Sequence, residues 1–197
     1  MCKKTFRLSF SVAILFMIFS FSNIQAQVPN SGFEKWTKGT PSGWWTNNKS
    51  VLHFTPVNKT TESHSGKYAV EGKVEFLGKA MPAAPVIHTG NAKNSEFKIS
   101  KNYKSLSGFY MLNSVKGDQF VASVTMYKDG KTIGKGIKYF PASKKFSRFK
   151  VPVNYTAKGL PGKCEIMFTV YPGFGGTNQM MVHKGTEMSV DDVSLTN

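Results

Sequence analysis

The chain has 197 residues, with 26 Lys or Arg against 11 Asp or Glu and a formal net charge of +15. Two cysteines are too few for a disulfide-framed miniprotein, and so few acids argue against chemistry built on carboxylate pairs. The basic balance attracts polyanions and anionic surfaces, but the lysines stand singly between apolar residues, which is also the pattern of a solvated surface that guards strand edges.

At the N-terminus Lys3, Lys4 and Arg7 form a basic region, Leu8 to Phe21 an apolar one, and Ile24-Gln25-Ala26 ends on a small residue. This is the pattern of a secretory signal peptide over 1–26, so the protein is expected to be exported: periplasmic, cell-surface or extracellular. Losing those residues removes three cations and leaves 27–197, which is 171 residues with a net charge of +12. No other apolar run is long enough for a membrane span. One domain is expected, monomeric and large enough to bury a core without staples. Cys2 lies before the apolar region, unlike an acylated lipoprotein cysteine, and Cys164 alternates with apolar residues as a small buried hydrophobe.

From Val28 onward helical periodicity is absent. Short alternating runs punctuated by Gly, Pro, Asn and Ser predict an all-β chain. The predicted strands carry Tyr68, Val70 and Val74; Phe97 and Ile99; Leu106 to Leu112; Phe120 to Tyr127; Phe149, Val151 and Val153; and Cys164, Ile166, Phe168 and Val170. Asp129-Gly130 predicts a hairpin between two of them. Strands at this spacing point to a β-sandwich or jelly roll. Two long segments, 79–94 and 171–185, are predicted loops of the kind that carry recognition on a rigid scaffold.

Several short stretches occur in a telling order: "VPNSGFEKWTKGTPSGWW", "SHSGKYAVEGKV", "YKSLSGFYML", "FSRFKVPVNY" and "VDDVSLT", with "PAAPVIHTG" between the second and third. The set resembles carbohydrate-binding modules with the galactose-binding-like jelly roll, close to a carbohydrate-metabolism domain of secreted bacterial proteins. The resemblance covers nearly all of 28–196.

It implies a structural calcium where the first and last strands meet, held by Glu34 and Asp191 with backbone carbonyls around Ser65 to Lys67 completing an oxygen shell. Period-two alternation agrees in part. If Val193 and Leu195 face the core, Asp191 does too and Asp192 does not, and an inward carboxylate must find a cation or donors. A lysine salt bridge or backbone capping without metal is the alternative, and Lys35 and Lys67 make the site less anionic than the family's.

The resemblance also implies a glycan ligand, a polysaccharide or oligosaccharide, and the positive net charge keeps an acidic one among the candidates. Sugar recognition needs exposed aromatic faces. Adjacent Trp44 and Trp45 cannot both face one core, and Tyr110, Tyr127, Tyr139, Tyr171 and Phe174 are further candidates.

Catalytic signatures are lacking. His53, His64, His88 and His183 show no zinc-ligand spacing, no nucleophile elbow occurs, and "GFGG" lacks the rest of a phosphate loop. The expected function is therefore non-catalytic glycan binding, with a structural or adhesive surface domain as the alternative and a glycan hydrolase or lyase behind both. A nucleic-acid ligand is not expected for an exported protein.

Overall fold

Asp129 and Gly130 take φ of 49° and 74°, the left-handed conformations a two-residue hairpin turn requires. The hairpin predicted there is present, joining Gln119–Lys128 to Lys131–Phe140. The structure, a computed structural model, describes residues 28–78, 81–173 and 181–197, so the predicted signal peptide and Phe174 lie outside the described residues.

In chain order the strands are β1 (Trp36–Thr37), β2 (Thr40–Pro41), β3 (Trp44–Thr46), β4 (Val57–Thr60), β5 (Ala69–Lys73), β6 (Glu75–Leu77), β7 (Met81–Ala83), β8 (Val86–Thr89), β9 (Phe97–Lys98), β10 (Ser105–Asn113), β11 (Gln119–Lys128), β12 (Lys131–Phe140), β13 (Ser143–Pro152), β14 (Asn154–Tyr155), β15 (Lys163–Tyr171) and β16 (Glu187–Thr196). Among the described residues the one helical element is a 3-10 turn, Ser50–Leu52, and no helix is long and apolar enough to cross a membrane.

Two antiparallel sheets form the sandwich. The smaller runs β13-β10-β16-β5-β4, and the larger runs β14-β12-β11-β15-β8-β3 with β9 also on β15. Alternation sends Phe120, Ala122, Val124 and Met126 of β11 inward with Cys164, Ile166, Phe168 and Val170 of β15, against Leu106, Phe149, Val190 and Leu195 of the facing sheet. Phe120 is the hub, with the rings of Tyr110, Phe140, Phe149 and Phe168 all within 6 Å of its centroid. Burial pushes the Cys164 thiol up, which keeps it protonated and inert.

The chain ends lie side by side, as expected: the Val193 N–H donates to the Ser31 carbonyl at 2.9 Å. The predicted direction of Asp191 needs correction. The register jumps between Ser107 and Phe109, where Asp192 has φ 49°. This bulge breaks the two-residue period, so Val190 and Val193 both face the core, while Asp191 sits opposite Phe109 on the other face. Asp191 is nonetheless fully buried, because a turn covers it.

Candidate functional site

Strands β11 and β15 turn Val121, Ser123, Thr125 and Tyr127 with Glu165, Met167, Thr169 and Tyr171 away from the core, although Val121 is covered to 2% exposure. Opposed residues of antiparallel strands share a face, so the register extends this surface across the larger sheet. Trp45 is opposite His88, His88 opposite Met167, Met167 opposite Ser123, and Ser123 opposite Ile137. The result is one outward row across β3, β8, β15, β11 and β12.

Trp45 is half-buried and stacks on His88, with centroids 4.6 Å apart and planes 20° from parallel. Toward one end of the strands, Tyr139 and Tyr171 meet edge to face at 5.4 Å. Toward the other end, the Tyr127 hydroxyl donates to Glu165 Oε2 at 2.9 Å. Burial, reinforced by that carboxylate, pushes the Tyr127 phenol up to about 12. At the β12–β14 edge the face ends in an open recess lined by Thr132, Lys135, Gly136, Ile137, Asn154 and Thr156. Ring faces interleaved with hydroxyls, a carboxylate and an ammonium suit a ligand that is apolar on one face and polar at its rim.

Of the aromatic candidates, Trp45, Tyr127 and Tyr171 share this face, as does Tyr139. Two others do not. Trp44 is 3% exposed; it stacks on Phe168 at 5.6 Å and donates its indole N–H to the Pro29 carbonyl at 2.7 Å. Tyr110 is 5% exposed, stacks on Phe120 at 4.9 Å and donates its hydroxyl to the Pro141 carbonyl at 3.0 Å. The physical reason is the same for both: alternation gives the outward place to the neighbour, Trp45 in one case and Phe109 in the other. Phe174 lies outside the described residues. Sequence reasoning missed His88, Met167 and Glu165 as members of this face. Their signal was present, since each alternates with a buried neighbour such as Ile87, Ile166 or Phe168.

The residues expected to hold calcium do converge, through a different set of atoms. Asp191 Oδ2 accepts the backbone N–H groups of His64 and Ser65 at 2.9 and 3.1 Å, and its Oδ1 accepts that of Asp192. Glu34 Oε1 accepts the N–H groups of Lys67 and Tyr68 at 2.8 and 3.1 Å. Burial raises the Asp191 carboxyl above its usual range, and the N–H groups of Ser65, Asp192 and His64 partly offset this. Asp192 caps the cluster from outside, accepting Ser65 Oγ at 2.8 Å and meeting His64 Nδ1 at 2.7 Å, while the His64 ring stacks on Phe109. Gly66, at φ +64°, packs directly on the Glu34 carboxylate. Among the described residues, no three His, Cys, Asp or Glu side chains gather as a metal group.

No protein-family model matches the chain, and no curated protein matches it. Solved structures do. A carbohydrate-binding module specific for non-crystalline cellulose, of family 28, aligns at a TM-score of 0.50 and 17% identity over 88% of this chain and 95% of its own. The chain shares the β-sandwich fold of this module. The same fold aligns with part of an arabinose-bound α-L-arabinofuranosidase, at a TM-score of 0.51 and 11% identity, covering 86% of this chain and 26% of that enzyme. A family 61 module in complex with β-1,4-galactotriose aligns at 0.49 with 16% identity, over 85% of this chain and 95% of its own.

Proposed function

We propose that the protein is an exported module that binds glycan chains without cleaving them, on the outer face of the larger sheet. The observation that carries this reading is the row from Trp45 through His88, Met167 and Ser123 to Ile137. An indole already braced by an imidazole presents a ring without further ordering, and hydroxyls and polar groups flank the row where sugar hydroxyls would lie. The fold shared with a cellulose-specific module supports the ligand class.

The non-catalytic reading is supported by how the acids are used. Asp191, Asp192 and Glu34 hold the 64–68 turn, and Glu165 accepts the Tyr127 hydroxyl. Glycosidic cleavage instead needs two carboxyls facing each other across the bond. One feature favours an adhesive domain as the second reading: the β6–β7 hairpin exposes Phe76, Leu77 and Met81.

For the junction of the chain ends we propose a hydrogen-bonded clamp in place of the calcium that the resemblance implies. The groups aimed at Glu34 and Asp191 are N–H donors, whereas calcium takes roughly six to eight oxygens.

Calorimetric titration with a panel of neutral and uronic oligosaccharides tests the function. Saturable binding without new reducing ends, lost in Trp45→Ala, is the expected result; silence across the panel would favour the adhesive reading.

A further inference from the structure

Between Asp129 and Glu165 the sequence holds nine Lys or Arg residues and no acid. This stretch forms β12, β13, β14 and the start of β15. Strand β13 is the edge of the smaller sheet, and β12 is followed only by the two-residue β14 in the larger, so the uncompensated charge collects along one side of the sandwich. Among the described residues, Lys163 is the one cation of the nine with an ion pair, to Glu96 at 2.6 Å. Such a field raises the local concentration of anions.

The outer face of the larger sheet meets this basic side at the recess of about 540 Å³ lined by Thr132, Lys135, Gly136, Ile137, Asn154 and Thr156. Ile137 both ends the row that begins at Trp45 and lines the recess. Spanning four interstrand gaps, the row is about 19 Å long, which an oligosaccharide can follow. Lys135 is opposite Thr125 on one side and Asn154 on the other, so its exposed side chain belongs to that same face. The strand beneath it is seated firmly. Gly134 packs on the Tyr155 ring and Gly136 against the Pro152 carbonyl, approaches that a side chain would block.

We infer that this recess is an anion subsite that takes the carboxylate of a uronic acid residue in a glycan chain laid along the row. The Lys135 ammonium supplies the single counter-charge. The Asn154 amide and the Thr132 hydroxyl supply hydrogen bonds to the carboxylate and its neighbouring hydroxyls, while the Thr156 hydroxyl, which itself donates to the Ile133 carbonyl, accepts from a sugar hydroxyl. The inference rests on the glycan-binding reading and adds the acidic class of ligand to it.

Oligogalacturonate and its methyl ester have the same rings and differ in charge, so titrating both into the protein isolates the subsite. The free acid is expected to bind about five- to tenfold more tightly than the ester at low salt, with the gap narrowing as salt rises. Lys135→Gln should bring the affinity for the acid down to that for the ester with the thermal midpoint unchanged; Lys150→Gln, on the other sheet, should keep the gap. Equal affinity for acid and ester, or a gap untouched by Lys135→Gln, overturns the subsite. Polyglutamate bound as tightly as oligogalacturonate overturns it as well, since that is unspecific charge attraction. Binding of neutral oligosaccharides alone sinks the subsite and leaves the glycan-binding face standing; binding of no glycan at all sinks both.

Discussion

Trp45 lies nearly parallel to His88 at 4.6 Å on the outside of the larger sheet, while Trp44, one residue earlier, is buried against Phe168 on its inside. The two adjacent tryptophans therefore sit in separate environments, one inside the core and one on the face proposed to take the ligand.

That division predicts opposite outcomes for the same change. Trp45→Ala should weaken oligosaccharide binding about tenfold or more and leave the thermal midpoint almost unmoved. Trp44→Ala should cost about 3–5 kcal/mol of stability through the cavity it opens. Calorimetric titration and thermal denaturation of both variants check this pair.

The clamp predicts a distinctive order of substitutions at Glu34. Gln keeps an oxygen for the Lys67 and Tyr68 N–H groups and should cost little, whereas Ala hands both solvent-exposed donors to water and should cost about 0.5–1.5 kcal/mol. A bound cation would instead make Gln nearly as damaging as Ala. Chelator should leave the unfolding midpoint of the unmodified protein unchanged.

Gly66→Ala should destabilise by about 1–3 kcal/mol, because the residue holds a left-handed φ of +64° and its missing Cβ would run into the Glu34 carboxylate. Denaturant unfolding measures it directly. The same substitution at Gly130, where the added methyl meets nothing within 4 Å, should be milder.

Tyr127 predicts an alkaline signature. Its folded-state pKa, pushed to about 12 from a usual 10.0 by burial and by Glu165, means that the folded protein keeps this proton longer than the unfolded chain does. The stability it contributes is complete below pH 10 and is lost as pH rises toward about 12. Ultraviolet titration of phenolate should show a late step near that value, absent in Tyr127→Phe.

Much of this was legible in the sequence because sandwich strands are short, alternating and closed by turn residues. The Asp129-Gly130 hairpin and the side-by-side chain ends follow from local chemistry and from the order of the motifs. Alternation could also say that Trp44 and Trp45 face opposite ways, but not which one faces in; that depends on the phase against Phe168, far away in the chain. Tyr110 and Phe109 pose the same problem. The row through His88 and Met167 exists only once β3, β8, β15 and β11 are in register, which no local pattern encodes. The bulge at Asp192 was hidden for the related reason that one positive φ shifts every later side chain to the other face.

The most direct test of the central claim is backbone amide chemical-shift mapping during titration with a glycan that the protein binds. The account predicts that the largest changes fall on Trp45, His88, Met167, Ser123 and Ile137 and their strand neighbours. Changes confined to the smaller sheet, or to the β6–β7 hairpin, with the row unperturbed would contradict it.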